Sequence, residues 1–296
     1  MQADLLLLIT AAIWGFAFVA QRVGMDYMGP FTFNAIRFCL GTLALLPLYL
    51  SQRKREVDRP ALLPRRIVGP ALLTGVALFA GSSLQQIGMV GTSAGKAGFI
   101  TGLYVVLVPL LALTWGQRTH PAHWLGALLA AVGLYLLSVR GGFKISPYDL
   151  IVLAGAFVWA GHVHLIGRFS GLVGPIRLAI LQFAICGFLS TVAALLFESI
   201  SLSNIVGGIW PILYGSFLSV GLAYTLQVVA QRTAQPAHAA IILSLEGAFA
   251  ALGGWLVLHE MLTLRDLAGC VLMLGGMLVS QFVGRKASIK AEQKPA

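Results

Sequence analysis

The sequence predicts an all-α integral membrane protein of about ten transmembrane helices, built as two inverted five-helix repeats. Three observations carry this prediction: the composition, the length and number of the apolar runs, and a set of uncommon residues that recurs halfway along the chain. The 296 residues are 58% hydrophobic and only 10% charged, where soluble domains carry about one quarter charged residues. Mean hydropathy is +0.88. A helix needs about 20 apolar residues to cross about 30 Å of hydrocarbon, and ten runs of that order occur.

In order, the first run, 4–24, has no basic n-region and no Ala-x-Ala-like site and carries Trp14 and Gln21, so it reads as helix 1 and not as a signal peptide. Helix 2, 31–51, follows Gly29-Pro30 and precedes a strongly basic loop over 52–66. Helix 3, 67–88, contains Gln85. Helix 4, 97–115, begins just after Lys96, and helix 5, 122–139, carries Gly126 and Gly133. After Pro147 the pattern restarts with helices at 149–168, 174–197, 207–230, 236–258 and 263–284. The connections are mostly short, which leaves no soluble domain to hold a separate active site.

The repeat is read from matched residues. At an offset of 145, Asp4-Leu5 matches Asp149-Leu150, Trp14 matches Trp159, Gly29-Pro30 matches Gly174-Pro175 and Phe38 matches Phe183. With small gaps, Leu84-Gln85 matches Leu226-Gln227 at 142, and Gly126 and Gly133 match Gly269 and Gly276 at 143. The organisation predicted is therefore a first repeat over 1–139, a second over 140–284 and a basic tail over 285–296. Five helices per repeat force the second to enter from the opposite face, the symmetry from which alternating-access transporters are built.

The net charge of +10 is distributed as a membrane protein distributes it. Alternating loops place thirteen Lys or Arg on one side, including Arg53, Lys54, Arg55, Arg118, Arg168, Arg232 and Lys286, and five on the other, Arg22, Lys96, Arg140, Lys144 and Arg265. The positive-inside rule then puts both termini in the cytoplasm of a multi-pass bacterial inner-membrane protein. A nucleic-acid partner is not indicated; the partners predicted are a lipid bilayer and a small-molecule substrate, with a homodimer left open. Cys39, Cys186 and Cys270 lie in apolar spans with no metal or disulfide spacing, and no cofactor motif occurs.

The stretches around Trp14-Gly15, Pro30 to Phe38, Gly95 to Tyr104, Ser244-Leu245-Glu246 and Leu258-His259-Glu260 resemble the EamA family of the drug/metabolite transporter superfamily over about residues 4–284. Gly247 stands where the second-half pattern usually has proline, and Gln117 where the first half often has Glu. The resemblance implies a transporter that exports a small polar or amphipathic metabolite, such as an amino acid, by alternating access.

The candidate substrate-cavity residues are Trp14, Gln85, Lys96, Tyr104, Trp159, Gln227, His238 and Glu246. An ionisable group mid-membrane costs several kcal/mol unless paired, protonated or facing water, which singles out Glu246; a structural role that locks helix 9 to a neighbour is equally open. Lys96 and His238, matched at the starts of helices 4 and 9, flank one cavity on one reading and are interface anchors on the other. Gln85 and Gln227 match across the repeats and suit interhelical hydrogen bonds or a ligand. Trp14, Phe18, Tyr104, Trp159 and Tyr224 line a cavity or form an interfacial belt; Trp14 and Trp159, mid-helix and in register, favour the cavity.

Arg37 matches Gln182, so its charge is carried by one half only, and pairing with Glu246 or reaching an interface both remain open. Small residues four apart, Ala94, Gly98 and Gly102 in helix 4 and Ala240, Ser244 and Ala248 in helix 9, predict a close crossing of those two helices. Gly126, Gly133, Gly269 and Gly276 read the same way for helices 5 and 10.

Two alternatives are weaker. A membrane-embedded enzyme would draw on His162, His164, His238, His259, Glu246 and Glu260, but His259-Glu260 lacks the second His of a metalloprotease helix, no Gly-x-Ser-x-Gly elbow occurs, and two rings at i and i+2 point about 200° apart. A non-transporting subunit would be expected to carry an extramembrane domain. The sequence therefore predicts no catalytic residues and no metal ligands.

Overall fold

The computed structural model describes residues 2–55, 64–114, 116, 119–138, 146–258 and 263–292, with the side chains of 52–55, 64–65, 254, 258 and 281–292 excepted. His259, Glu260, Gln117, Arg118, Arg140 and Lys144 lie outside the described residues. Within them, all regular structure is helical: α1 (Gln2–Gly24), α2 (Pro30–Arg55), α3 (Pro64–Gly88), α4 (Ala94–Thr114), α5 (Pro121–Ser138), α6 (Pro147–Val173), α7 (Pro175–Phe197), α8 (Ile209–Ala230), α9 (Pro236–Val257) and α10 (Leu264–Glu292). A short helix, Leu202–Gly207, leads into α8.

Eight of these, all except α5 and α10, are long and apolar enough to cross a membrane. The apolar stretch of α5, Pro121–Leu136, is shorter, and α10 runs on to Glu292, through most of the segment read as a separate tail. Leu195, Leu196, Phe197, Trp210, Leu264 and Val271 are among the large apolar side chains left on the outside, as expected where the surrounding solvent is lipid.

Six of the helices open on proline, at 30, 64, 121, 147, 175 and 236, where the missing N–H has no intrahelical acceptor to lose. Acids meet the leading N–H groups of several helices, Asp266 doing so for α10 through Thr263 N at 2.7 Å. In α6, Ser146 and Asp149 form a reciprocal cap, with Ser146 N donating to Asp149 Oδ2 at 2.6 Å and Asp149 N to Ser146 Oγ at 3.2 Å. For α2 the acid comes from elsewhere in the chain: Glu198, just past α7, accepts from Phe31 N and Thr32 N, both at 2.8 Å. Both carboxylates sit where the helix dipole favours negative charge.

The principal packing pairs are α5 with α10, α2 with α7, α3 with α6 and α1 with α9. Each joins a helix before residue 139 to one after 146, so the two parts of the chain share one core. The α5–α10 crossing is the one where backbones meet. A Cβ at Gly126 would lie 2.7 Å from the Gly276 carbonyl oxygen, and one at Gly133 would lie 2.5 Å from that of Gly269. The four glycines read as a packing face from their spacing thus face each other in two pairs.

At the expected α4–α9 crossing the fit is looser. A Cβ on Gly98 would meet Phe18 at 3.7 Å and Ala250 at 3.8 Å, ordinary van der Waals contact. Of the two close crossings expected, the α5–α10 one brings backbones together, whereas in α4 Gly98 faces the Phe18 ring and Ala250, and Gly102 faces the Leu134 side chain.

Gly133→Ala is therefore expected to destabilise the protein by about 1–3 kcal/mol, since its methyl would overlap a carbonyl that cannot move alone. Gly98→Ala, which adds a methyl into open contact, should stay within about 0.5 kcal/mol of the parent. Thermal unfolding of the two detergent-purified variants compares them; equal melting temperatures would contradict this account of the crossing.

Candidate functional site

The site begins with two interrupted helices. In α4 the segments Ala94–Gly102 and Tyr104–Thr114 are separated at Leu103, whose N–H donates to the Ile100 carbonyl at 3.2 Å. In α9 the segments Pro236–Leu243 and Glu246–Leu258 are separated at Ser244-Leu245, and Leu245 N donates to the Ile242 carbonyl at 3.1 Å. Leu103 and Leu245 are 142 apart, the offset at which Gln85 and Gln227 match. Interrupted helices at corresponding places mark the binding sites of many secondary transporters, because the broken turn frees backbone and side-chain polar groups next to a cavity. Tyr104 and Glu246, also 142 apart, each open the second segment. Glu246 thereby lies in a first helical turn, where the dipole favours an acid.

α8 is wound differently again, as a π-helix over Tyr214–Tyr224. Wide turns of this kind concentrate at functional sites. Here α1 fastens to them: Trp14 Nε1 donates to the Ser219 carbonyl at 3.3 Å, Thr10 Oγ1 to that of Ala223 at 3.2 Å, and Tyr214 Oη to that of Ile13 at 2.8 Å.

Between these elements lies a cavity lined by Trp14, Phe18, Gln21, Arg37, Gln85, Thr101, Tyr104, Trp159, Val163, Ser219, Tyr224, Gln227, Leu243 and Glu246. Six of the eight sequence candidates are brought together there. Its aromatic wall is built on Tyr224, with the Trp14 ring centred 4.5 Å away and the Trp159 ring 6.1 Å away at 28° between planes.

The polar wall is incompletely satisfied. Thr101 Oγ1, Tyr104 Oη, Gln227 Oε1 and Glu246 Oε1 are all buried without a well-formed hydrogen bond among the described residues, and Tyr104 and Glu246 stand beside each other, within reach of one. Each such atom costs about 1–3 kcal/mol if it stays unpaired, so four around one cavity form a donor and acceptor set suited to a polar ligand. The two matched glutamines differ in this respect. Gln85 is committed to the protein, its Nε2 donating to Gln21 Oε1 and its Oε1 accepting from Trp159 Nε1, each at 3.0 Å. Gln227 keeps its carbonyl oxygen open.

Arg37 is the residue that sequence reasoning left undecided. Only 2% exposed, it donates from Nε to Asn34 Oδ1 at 3.0 Å and lays its guanidinium 5.4 Å from the Phe33 ring centre and 5.0 Å from that of Phe38. No carboxylate pairs with it among the described residues, and it lines the same cavity as Glu246. Its signal in the sequence was the broken match itself, Arg37 against Gln182. Gln182 turns instead to His162, Oε1 to Nε2 at 2.9 Å.

Lys96 and His238 do not line the cavity. Lys96 Nζ donates to Asp149 Oδ2 at 2.5 Å, and His238 Nε2 lies 2.9 Å from Asp4 Oδ1 with its Nδ1 2.9 Å from Ser280 Oγ. Of the two readings the sequence leaves open, neither is decided: each stands at the start of its helix, outside the cavity lining and bound to an acid on another helix. His162 and His164 part as their spacing demands, His164 Nε2 lying 2.8 Å from the Val108 carbonyl.

A helical membrane protein with broken helices around a cavity lined by aromatic and polar side chains fits a class, the polytopic small-molecule transporters. The chain belongs to the EamA-like transporter family, whose model matches residues 1–139 and 146–282. An uncharacterized transporter of Archaeoglobus fulgidus is 33% identical over 94% of this chain and 85% of its own. The threonine/homoserine exporter RhtA of Escherichia coli is 27% identical over 98% of this chain and 92% of its own. A solved crystal structure, 18% identical, superposes with a TM-score of 0.80 over 96% of this chain and 98% of the other, which establishes the shared fold.

The unequal glutamines yield a prediction. Gln85→Ala strands Gln21 and Trp159 and is expected to lower stability by about 2 kcal/mol, whereas Gln227→Ala, which removes an unpaired acceptor, should leave the melting temperature near that of the parent. Thermal unfolding decides; equal losses would show that the two side chains do the same structural work.

Proposed function

We propose that this protein exports a small zwitterionic or amphipathic metabolite, of the amino-acid kind, across a bacterial inner membrane by alternating access. The observation that carries the reading is a pair of buried ionisable side chains of opposite type, Arg37 and Glu246, that line one cavity without forming an ion pair with each other. A buried charge is tolerated when something neutralises it. A molecule carrying an anionic and a cationic group satisfies both residues at once, while Trp14, Trp159 and Tyr224 offer its apolar part a flat surface. The exporter name of the RhtA relative fits this substrate class.

The reading includes ten crossings in two inverted repeats, α1–α5 and α6–α10, with both termini cytoplasmic. Support comes from the matched residues, from the matched breaks in α4 and α9, and from the thirteen-to-five distribution of basic residues between alternate loops.

The test is flux through the purified protein in liposomes preloaded with L-threonine, L-leucine or L-phenylalanine. Zwitterion efflux is expected, with Arg37→Gln and Glu246→Gln each slowing it at least about tenfold, the loss of one charge-assisted contact, and with the corresponding amino-acid amides left behind. Absence of any zwitterion flux, or flux unchanged in both folded variants, would overturn the reading. For topology, single cysteines at Arg55 and Lys290 should resist an impermeant thiol reagent in intact cells, and one at Ser203 should react, once the native cysteines are replaced. Labelling at Arg55 from outside would reverse the orientation.

A further inference from the structure

Two tryptophans and two glutamines, matched between the halves of the sequence, line one cavity and are unequally engaged. Trp14 and Trp159 match at 145, and Gln85 and Gln227 match at 142. Trp159 of the second half donates from Nε1 to Gln85 Oε1 of the first at 3.0 Å. The crossed counterpart, Trp14 to Gln227, is not made. Trp14 Nε1 donates instead to the Ser219 carbonyl at 3.3 Å, and Gln227 Oε1 is buried without a partner among the described residues.

The helices that carry these residues are paired in the same crossed way, α6 on α3 and α1 on α8. Trp14 and Gln227 therefore stand on facing helices, and the Trp14 ring is centred 4.5 Å from that of Tyr224, about one turn before Gln227. Two local features set the interfaces apart. A Cβ at Gly81 would meet the Trp159 ring at 3.1 Å, so the absent side chain lets the indole close over α3 toward Gln85; 142 residues later stands Ala223. The winding differs as well. α3 is α-helical through 72–82, whereas the stretch 142 residues later, Tyr214–Tyr224, is π-helical and presents the Ser219 carbonyl to Trp14.

An indole N–H inside hydrocarbon must donate to something. The bond to Ser219 is longer than the ordinary N–H···O range, and an amide oxygen without a partner stands in the same cavity wall.

We infer that the two Trp–Gln bonds are alternating latches: Trp159 holds Gln85 in the state seen here, and in the opposite state Trp159 lets go while Trp14 takes Gln227. The inference rests on the alternating-access reading and names the side chains that distinguish its two states. Halves of like sequence exchange conformations when access alternates, so a bond made by one matched pair and absent from the other marks a position in the cycle. Gln85 stands near the end of α3 at Gly88, and Gln227 near the end of α8 at Ala230. On the topology proposed above, those ends are the outer and the inner one. The latch that is made closes the outer end, and the latch that is open releases the inner end. Tyr224 lies against both indoles, at 4.5 Å and 6.1 Å between ring centres, and gives them a common surface to move across. The Gln227 oxygen is thereby open to a ligand in this state and taken by Trp14 in the other.

The experiment reads accessibility and needs no substrate, so it is separable from the flux test of the function itself. A single cysteine at Thr101, in the cavity wall, is placed in a chain whose native Cys39, Cys186 and Cys270 are replaced. Its labelling by an impermeant maleimide is timed in right-side-out and inside-out vesicles, and the parent should label from both sides. Gln227→Leu removes an acceptor used only when the outer end is open. The ratio of outer to cytoplasmic labelling should therefore fall about fivefold, the population shift worth one net hydrogen bond. Trp159→Phe keeps an aromatic ring and the Gln21–Gln85 bond but removes the indole donor, and the same ratio should rise about fivefold. A purely structural role lowers the melting temperature without moving the ratio in opposite directions. Parent labelling from one side only would overturn the alternating-access reading and this inference with it. Two-sided parent labelling with the ratio unchanged in folded Gln227→Leu would overturn this inference alone. If Trp159→Phe does not fold, the Gln227→Leu ratio decides it.

Discussion

A polar group inside hydrocarbon has no water to fall back on, so each must be satisfied by the protein, by a ligand or by a water-filled space. The architecture can be read as the consequence. Backbone groups are consumed within helices, and where helices are interrupted, at Leu103 and at Ser244-Leu245, the tight Leu103–Ile100 and Leu245–Ile242 bonds close the gap. Interior side chains such as Gln85, Trp159 and Gln182 are tied into pairs across helices. Among the groups left without a partner, those of Thr101, Tyr104, Gln227 and Glu246 line one cavity, which Arg37 joins.

Local irregularity supports that convergence. The π-helical winding of Tyr214–Tyr224 is held by hydrogen bonds from α1, and the same segment turns Ser219 and Tyr224 toward the cavity. The break in α9 places Glu246 at a helix start, so that its carboxylate meets a favourable dipole in an otherwise hostile medium. By contrast the α5–α10 pair is regular and close-packed through glycine. The regular elements hold the frame, and the irregular ones make the site.

Much of this was legible in the sequence, and the parts that were not share a cause. Apolar runs located the starts of the helices to within a few residues, while α10 runs well past its expected end, and register between Trp14 and Trp159 favoured the cavity that both line. Glu246 was found because a mid-membrane acid is costly wherever it points. Lys96 and His238 stayed undecided because matched positions reveal a shared role without revealing its location, and their acids, Asp149 and Asp4, lie on helices distant in sequence. Arg37 could not be assigned from one helix alone, since its surroundings are built by α2 and α8 together. The π-helix left no mark, because its pattern of apolar residues is that of any buried span.

The central claim is that the cavity between the broken helices is where substrate sits. A single cysteine at Thr101, whose hydroxyl is one of the unpaired groups, tests it directly in protein whose native cysteines are replaced. An amino acid that the reconstituted protein carries should slow maleimide labelling of that cysteine in proportion to its occupancy, half-maximally at the concentration that half-saturates transport. Labelling that stays unchanged at saturating substrate would contradict the account.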